Sequence, residues 1–316
     1  MADVFMNGTA LPNSQSVLNF NRVDMPMLVD QVLAHAPLLK ILPARAVDSN
    51  NFVYTKKTAN PATGFRDINS GLENTAGSYS RVTVDLKYYD ASFAMDVAAA
   101  EIDDRGVDHV LTIEAISHLQ SAMASIESQI FYGTGTGGNA DGFDGFLDQS
   151  NLDGASDAQV VNAGGTTATT GQSTYLIAAG TPDLEVLWGE SGQISVGPRM
   201  KVRNFPGTGV YWQYAHEIGT WCGLKIGRNQ SVVRIANVTE DAGKGLTDDL
   251  ISEAISIFPA ELQATHIVTG RRSLGQLQQS RTATNPTGAP APFPESAFGI
   301  PIVVTDNLLE NEAIIV

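Results

Sequence analysis

The chain has 316 residues and a net charge of −15 at neutral pH, with a pI near 4.6. This acidity argues against a nucleic-acid-binding protein, because affinity for phosphates comes largely from Lys and Arg that release counterions. Apolar residues make up 43% of the chain, which allows a hydrophobic core and argues against global disorder. The single cysteine, Cys222, excludes an intrachain disulfide. No apolar run reaches the length of a membrane-spanning helix, so we expect no membrane partner.

The first hundred residues predict an arm followed by two long strands. Residues 1–45 are rich in proline and read as an irregular arm, with a short helix around Leu28. Residues 51–57 predict a strand, and residues 81–88 alternate between apolar and polar side chains as a half-buried strand does. A polar, glycine-rich segment separates them. Two such strands cannot bury a face by themselves, so we expect them to lie on another surface, such as a second subunit.

The strongest helix signal covers residues 103–132, where apolar side chains recur every three or four positions. Asp103 and Asp104 open this segment, where negative charge stabilises the helix dipole. At 1.5 Å per residue the helix would be about 45 Å long. Gly133 follows it directly, and glycine is typical of the position after a helix end.

Three glycines after this helix, Gly133, Gly135 and Gly138, spell the G-x-G-x-x-G fingerprint of a dinucleotide-binding turn. That fingerprint needs a strand before it and a helix N-terminus after it, because phosphates bind to exposed N–H groups. Here a helix ends where the glycines begin, and its carbonyls would face the ligand. No calcium loop fits the acidic residues that follow, since the required glutamate position holds Val160. We interpret this segment as a structural turn and expect no cofactor.

Residues 184–238 return to strand-like patterns. In this region, strand periodicity places Arg199, Lys201 and Arg203 on one face of an extended segment. Further on, two long strands flank residues 227–231, which predicts a hairpin-type turn.

The last third of the chain alternates helices and strands. Residues 247–258 predict an amphipathic helix with Thr247 as its N-cap and Pro259 as its stop. The segment 264–270 predicts a strand and 271–280 a short helix. The chain then closes with two predicted strands around Asp306 and Asn307.

No catalytic or metal site is predicted. His109 and His118 are nine residues apart and cannot form the i, i+4 pair of a zinc helix. No G-x-S-x-G nucleophile motif is present, and Cys222 is expected to be a buried, inert thiol. A triad built from distant positions stays open, as does an acidic soluble hydrolase that uses carboxylates.

The order of these segments and three phrases indicate a known family. The phrases are "IESQIFYGTGTGGNADGFDGFL" at 126–147, "HIVTGRRSLGQLQ" at 266–278 and "FGIPIVVTDNL" at 298–308. Together with the arm and the two long strands, they resemble the major capsid proteins of tailed bacteriophages, which have the Hong Kong 97-like fold. A bacterial nanocompartment shell, which encloses protein cargo, shares that fold and stays open as an alternative.

The resemblance implies an α+β structural protein without catalysis. Residues 1–45 would be the N-terminal arm, and 46–100 an extended loop that lies over the neighbouring subunit. Residues 101–238 would form the peripheral domain around the spine helix 103–132. Residues 239–316 would form the axial domain, around which hexamers and pentamers close.

The resemblance also implies partners and a location. The protein would be a virion component, assembled in the host cytoplasm into an icosahedral shell that encloses double-stranded DNA. Scaffolding, portal and decoration proteins would be its partners. Some family members link a Lys to an Asn between subunits, but Lys56 and Lys57 lie at the base of the loop, so this chemistry is not carried over.

One candidate interface follows from the charges. Subunits of net charge −15 repel one another unless cations are concentrated where they meet. We therefore expect the row of Arg199, Lys201 and Arg203 to face carboxylates of a neighbouring subunit near the loop tip, at Asp67 and Glu73. A solvated strand face is the alternative interpretation of this row.

Overall fold

The computed structural model describes residues 36–72, 75–102, 104–189, 194–204, 209–285 and 289–315. The expected helix near Leu28 lies outside these residues, and so do Glu73 and Asp103.

Within the described residues the helices are α1 (Val97–Ala100), α2 (Val107–Tyr132), α3 (Asp248–Ile257) and α4 (Arg271–Ala283). The strands are β1 (Ala44–Ala46), β2 (Asn51–Ala59), β3 (Ser78–Asp85), β4 (Lys87–Asp90), β5 (Phe93–Asp96), β6 (Val160–Asn162), β7 (Gln172–Ile177), β8 (Leu184–Trp188), β9 (Ser195–Val196), β10 (Met200–Asn204), β11 (Tyr211–His216), β12 (Ile218–Ile226), β13 (Val232–Val238), β14 (His266–Thr269), β15 (Ser296–Ala297) and β16 (Ile300–Val304).

Strands β2 and β3 form the expected long antiparallel pair, which we call the extended hairpin. Their register runs from Asn51 opposite Asp85 to Ala59 opposite Ser78. Polar residues 60–77 connect them, and the described part of this connection is almost entirely exposed. In the described part of the chain these strands form their own two-stranded sheet, so the extended hairpin adds little to the hydrophobic core.

The long helix α2 begins at Val107, later than the expected start at 103. Gly106 precedes it with φ of 95°, a backbone conformation that a right-handed helix cannot continue. A separate short helix, α1, lies before this break and is capped by the carboxylate of Asp96. The 26 residues of α2 span about 40 Å and end at Tyr132. Gly133 follows with a φ of 55°.

The six-stranded sheet has the order β15-β16-β14-β7-β13-β6 among the described residues. Strands β7, β13 and β14 are buried almost throughout, and α3 and α4 cover the sheet with Ile251, Ala254 and Leu277. The side chain of Thr247 caps α3 by accepting a hydrogen bond from the N–H of Leu250, as expected. This sheet joins strands from both sides of residue 238, where the sequence analysis placed a domain boundary.

Strands β1, β8, β12 and β4 form a second sheet, with β9 also paired to β12. The third sheet has the order β10-β11-β5. Phe93 and Met95 of β5 pack with Val110 and Leu111 of α2, and this cluster attaches the third sheet to the first half of that helix. The second half of α2 contributes Phe131 to the largest core cluster.

The prediction of a hairpin around residues 227–231 is wrong. Strand β12 pairs with β8, whereas β13 pairs with β7, so the two strands belong to different sheets. The chain crosses between these sheets twice, before β8 and after β12, and the N–H of Gly227 donates to the carbonyl of Asp183 at the crossing. Alternating apolar residues indicate a strand but do not specify its partner.

The prediction of a second closing strand is also wrong. After β16 the described residues 305–315 form no strand, and we call them the C-terminal strap. The strap runs across the protein and is held by single hydrogen bonds. Among them, the N–H of Glu312 donates to the carbonyl of Gly171, and the N–H of Ile315 donates to the Asn237 side chain at 3.0 Å. These separate anchors replace the continuous ladder that a strand would need.

Candidate functional site

The glycine segment after α2 is a turn filled by side chains of the same chain. The carboxamide of Gln129 donates to the carbonyls of Gly133 and Phe143, both at 2.8 Å, and accepts from the N–H of Asn139 at 2.7 Å. A Cβ atom on Gly133 would lie 1.6 Å from a carboxylate oxygen of Asp148. The helix precedes the glycines, and the carboxylate of Asp148 accepts from the N–H groups of Thr134 and Gly145 in this turn.

The titratable groups of the described residues were compared with the arrangement that a metal site needs. Among the described residues, no group of three or more His, Cys, Asp or Glu side chains is arranged to hold a metal ion. Cys222 is buried in β12 as expected, and burial raises the pKa of its thiol to about 12. Within the same residues, no helix combines the length and apolarity needed to cross a membrane.

The basic row lies on β10 and on the residue before it. This strand forms one edge of the three-stranded sheet among the described residues, with β11 on its inner side. Lys201 is opposite Tyr214 in the register, and Arg203 is opposite Trp212. All three cationic residues are exposed. The row expected from strand periodicity is therefore present.

The head groups of the row rest on aromatic rings of β11. The guanidinium of Arg199 lies 5.1 Å from the ring centre of Tyr214, and the ammonium of Lys201 lies 5.8 Å from the same ring. The guanidinium of Arg203 lies 5.9 Å from the Trp212 ring. Arg199 also forms an ion pair with Asp108 at the start of α2. These cation–π contacts hold the charges at the surface in defined positions.

Asp67, one of the two expected partners of the row, forms no ion pair with it among the described residues. Asp67 is exposed at the tip of the extended hairpin, where its backbone carbonyl accepts a hydrogen bond from the N–H of Ser70 at 3.1 Å. Its carboxylate forms no ion pair within the described residues. Glu73 lies outside them.

Apolar residues at the same surfaces were missed by the sequence analysis. Phe65 is fully exposed at the hairpin tip, and Ile68 beside it is 93% exposed. On the third sheet, Met200 and Trp212 are about half exposed. Aromatic residues, Met and Arg are also the residue types that are enriched in protein interfaces. Two apolar residues within the polar stretch "GFRDINSG" were a signal that could have identified the tip.

A comparison with known protein families identifies the family of this chain. The sequence model of the family described as "Major capsid protein GP7" matches residues 39–316. The chain belongs to the major capsid protein GP7 family. The match begins just before β1 and continues to the C-terminal strap, so it includes all the strands and α-helices of the described residues.

The fold of the chain is similar to that of proteins in solved phage structures. The chain is similar to a protein in the structure of bacteriophage epsilon15, with a TM-score of 0.71 and 18% identity over 100% of this chain and 99% of that chain. It is also similar to a protein of the bacteriophage JBD30 capsid, with a TM-score of 0.54 and 12% identity over 88% of this chain and 93% of that chain. No curated protein sequence matches the chain.

The GP7-family protein is a structural component of a phage capsid shell, located in the virion. Its fold is α+β and Hong Kong 97-like, as expected from the sequence. Membership of a major capsid protein family favours the phage head over the nanocompartment shell and over the soluble hydrolase.

Proposed function

We propose that this capsid protein assembles into hexamers and pentamers of an icosahedral shell that encloses double-stranded DNA. The main support for this proposal is the extended hairpin. It has exposed apolar side chains and no hydrophobic core of its own. In this proposal the hairpin lies over a neighbouring subunit, which supplies the surface that the hairpin lacks. The net charge of −15 keeps the wall from adsorbing the packaged DNA.

The hairpin tip supplies the apolar part of the proposed contact. Phe65 and Ile68 lie within three residues of each other, and both are almost completely exposed in the single chain. Full burial of an apolar side chain of this size stabilises a contact by about 1.5–3 kcal/mol. Repeated at every subunit of a shell, two such side chains would contribute strongly to assembly.

The basic row on β10 supplies the electrostatic part. We propose that Arg199, Lys201 and Arg203 face the carboxylates of Asp67 and Glu73 on a neighbouring subunit. The aromatic rings beneath the cations support this role, because they fix the head groups before contact and reduce the entropy lost on binding. Each exposed pair would contribute about 0–1 kcal/mol.

The domain assignment is part of the same proposal. The peripheral domain would be centred on α2 and the three-stranded sheet. The axial domain would contain the six-stranded sheet with α3 and α4. Because that sheet includes β6, β7 and β13, the axial domain would begin before residue 239. The chain would enter this domain twice, once before β6 and once before β13. The subunit would have no catalytic activity, and scaffolding, portal and decoration proteins would be its partners.

The apolar contact is tested by changing Phe65 and Ile68 to Ser together. The variant subunit should fold normally by circular dichroism, because neither side chain touches the core, but should not form shells by sedimentation and negative-stain electron microscopy. The matched control is Phe293→Ser, which removes a phenylalanine that is 57% exposed in another loop. Normal shells from the double variant would refute the role of the tip.

The ionic contact is tested by changing Lys201 and Arg203 to Glu, which leaves the ion pair of Arg199 with Asp108 intact. Assembly should weaken while folding is preserved, and charge reversal of Asp67 and Glu73 to Lys should restore it. A charge-matched control changes the exposed residues Lys40 and Arg271 to Glu. Unchanged assembly across a range of salt concentrations would show that the row is only solvated surface.

A further inference from the structure

Two histidines stack on one buried phenylalanine where the three-stranded sheet meets α2. The ring of Phe93 lies 5.0 Å from that of His118, with an interplanar angle of 21°. It lies 5.3 Å from the ring of His216, with an angle of 7°. Phe93 is on β5, His118 is on α2 and His216 is at the end of β11, so the three rings join three elements. We call this group the histidine stack.

The histidine stack borders the cluster that attaches the sheet to the helix. Phe93 is 5% exposed and packs in that cluster with Met95, Val110 and Leu111. Phe93 and His216 are also direct partners in the register of β5 and β11. A change in the charge of either imidazole therefore acts on side chains that hold the sheet in place.

Charged groups of both signs lie around the stack, but the carboxylate that acts on His216 is already paired with Arg199. Arg199 and Asp108 are the charged groups that act on His216, and Glu114 is the carboxylate that interacts with His118. Asp108 is already bound to Arg199. Of the carboxylates next to the stack in sequence, Asp96 on β5 caps α1, and Glu217 before β12 is exposed.

His216 has no place for a second proton. Its Nε2 atom is buried and has no hydrogen-bond partner within the described residues. A neutral imidazole can leave this nitrogen as an unprotonated acceptor, whereas an imidazolium must carry a hydrogen there. Such a buried donor without an acceptor is unfavourable. Burial, followed by the charge of Arg199, accordingly lowers the pKa of His216.

We propose that the histidine stack is an acid-sensitive joint, which holds the three-stranded sheet on α2 while His216 is neutral and loosens the sheet when His216 is protonated. Protonation would place a second cation near Arg199 and would add a buried N–H without an acceptor.

The direction of the pH effect on stability follows from the linkage between proton binding and folding. Because the pKa of His216 in the folded protein is below its ordinary value of 6.5, the unfolded or opened form binds the proton more readily. The stability that the neutral imidazole contributes is complete above pH 6.5 and is lost as the pH falls below it. The sheet that loosens carries the basic row, so acid would displace a surface that we assign to subunit contacts.

Hydrogen exchange of the isolated subunit tests the joint at about pH 7.5 and about pH 5.5, on either side of the ordinary histidine pKa, after correction for intrinsic exchange rates. Protection of β5 and β11 should fall by about tenfold for each pH unit between the ordinary and the lowered pKa. Protection of β8 in the second sheet, whose described strands contain no histidine, should not change. Equal protection of β5 and β11 at both pH values would overturn the proposal.

A variant assigns the effect to His216. Changing His216 to Phe keeps an aromatic ring at this position but removes its titration, so the loss of protection in acid should disappear. His266→Phe is the control, because His266 is a partly buried histidine of the six-stranded sheet. If the acid-dependent loss persists in the His216→Phe variant, the stack is not the sensor.

A direct titration covers the case in which this variant does not fold. The imidazole resonances of His216 can be followed by NMR in the unmodified subunit. His216 should titrate below an exposed histidine, and its protonation should coincide with the loss of protection in β11. Titration of His216 at or above the ordinary pKa would contradict the proposal.

Discussion

Tyr132, the last residue of α2, donates a hydrogen bond to the carboxylate of Glu312, 180 residues further along the chain, at 2.6 Å. The same phenolic oxygen accepts from the N–H of Leu309 at 2.7 Å. Glu312 also accepts from Ser173 and pairs with Arg234 at 3.3 Å. Burial, followed by the charge of Glu312, raises the pKa of Tyr132, so its hydroxyl remains a donor. This contact fastens the C-terminal strap to the long helix.

Tyr132→Phe should therefore destabilise the subunit by about 1–3 kcal/mol, because the N–H of Leu309 loses its acceptor and Glu312 loses a donor inside the protein. Chemical denaturation of the unassembled subunit measures the change. The control is Tyr79→Phe, where the tyrosine is 67% exposed and the effect should stay within about 0.5 kcal/mol. Equal stability of the two variants would show that the strap is held elsewhere.

The carboxylate of Glu127 makes a similar connection near the end of α2. It accepts from the N–H of Leu38 at 2.9 Å, from the hydroxyl of Thr305 and from the side chain of Asn307 at 3.1 Å. Despite these bonds, burial raises the pKa of Glu127 above its ordinary value of 4.5. One buried carboxylate thus joins the segment before β1 to the start of the C-terminal strap.

This raised pKa predicts how Glu127→Gln depends on pH. As the pH falls, the folded protein takes up the proton before the unfolded chain does, so wild-type Glu127 gains stability on acidification down to pH 4.5. Gln has no such gain. The stability of the wild type relative to Glu127→Gln should rise between neutral pH and pH 5, by about 1.4 kcal/mol at most for each unit of the shift.

Denaturation curves at several pH values provide this measurement, and Glu253→Gln is the control. Glu253 is exposed on α3, so its substitution should have the same small effect at every pH. A difference between wild type and Glu127→Gln that falls on acidification would mean that the pKa of Glu127 is lowered.

Gly133→Ala should destabilise the subunit more than Gly243→Ala. Both glycines have positive φ, 55° and 75°, so both substitutions introduce backbone strain of about 1–3 kcal/mol. A Cβ on Gly133 would also overlap Asp148, whereas a Cβ on Gly243 meets nothing within 4 Å. Thermal unfolding compares the two variants. Equal losses would show that the turn can move away from the new methyl group.

Cys222 should resist alkylation in the folded subunit at mildly alkaline pH. The thiolate is the reactive form, and burial raises the pKa of this thiol to about 12. Mass spectrometry after iodoacetamide treatment at pH 8 should show modification only when denaturant is added. Rapid labelling of the folded subunit would mean that the second sheet opens locally around β12.

Local patterns predicted the segments whose signals lie within a few residues. The cap at Thr247, the turn after Tyr132 and the alternation in β3 all depend on near neighbours, and each is present in the fold. The start of α2 was misplaced because the acidic residues before Gly106 also suit a helix N-terminus. Long-range partners were not predictable in this way, as the separate sheets of β12 and β13 demonstrate.

The sequence by itself determined the class of the protein: an acidic α+β chain with a long helix, an exposed two-stranded projection and the segment order of a phage capsid protein. Only the tertiary structure decided which strands share a sheet, that Glu127 and Glu312 hold the strap, and that His118 and His216 meet on Phe93. Helix and strand periodicity arise from interactions between near neighbours, so they can be recognised from the local order of residues. Contacts between groups 89 to 180 residues apart leave no local pattern, because they depend on how the whole chain packs.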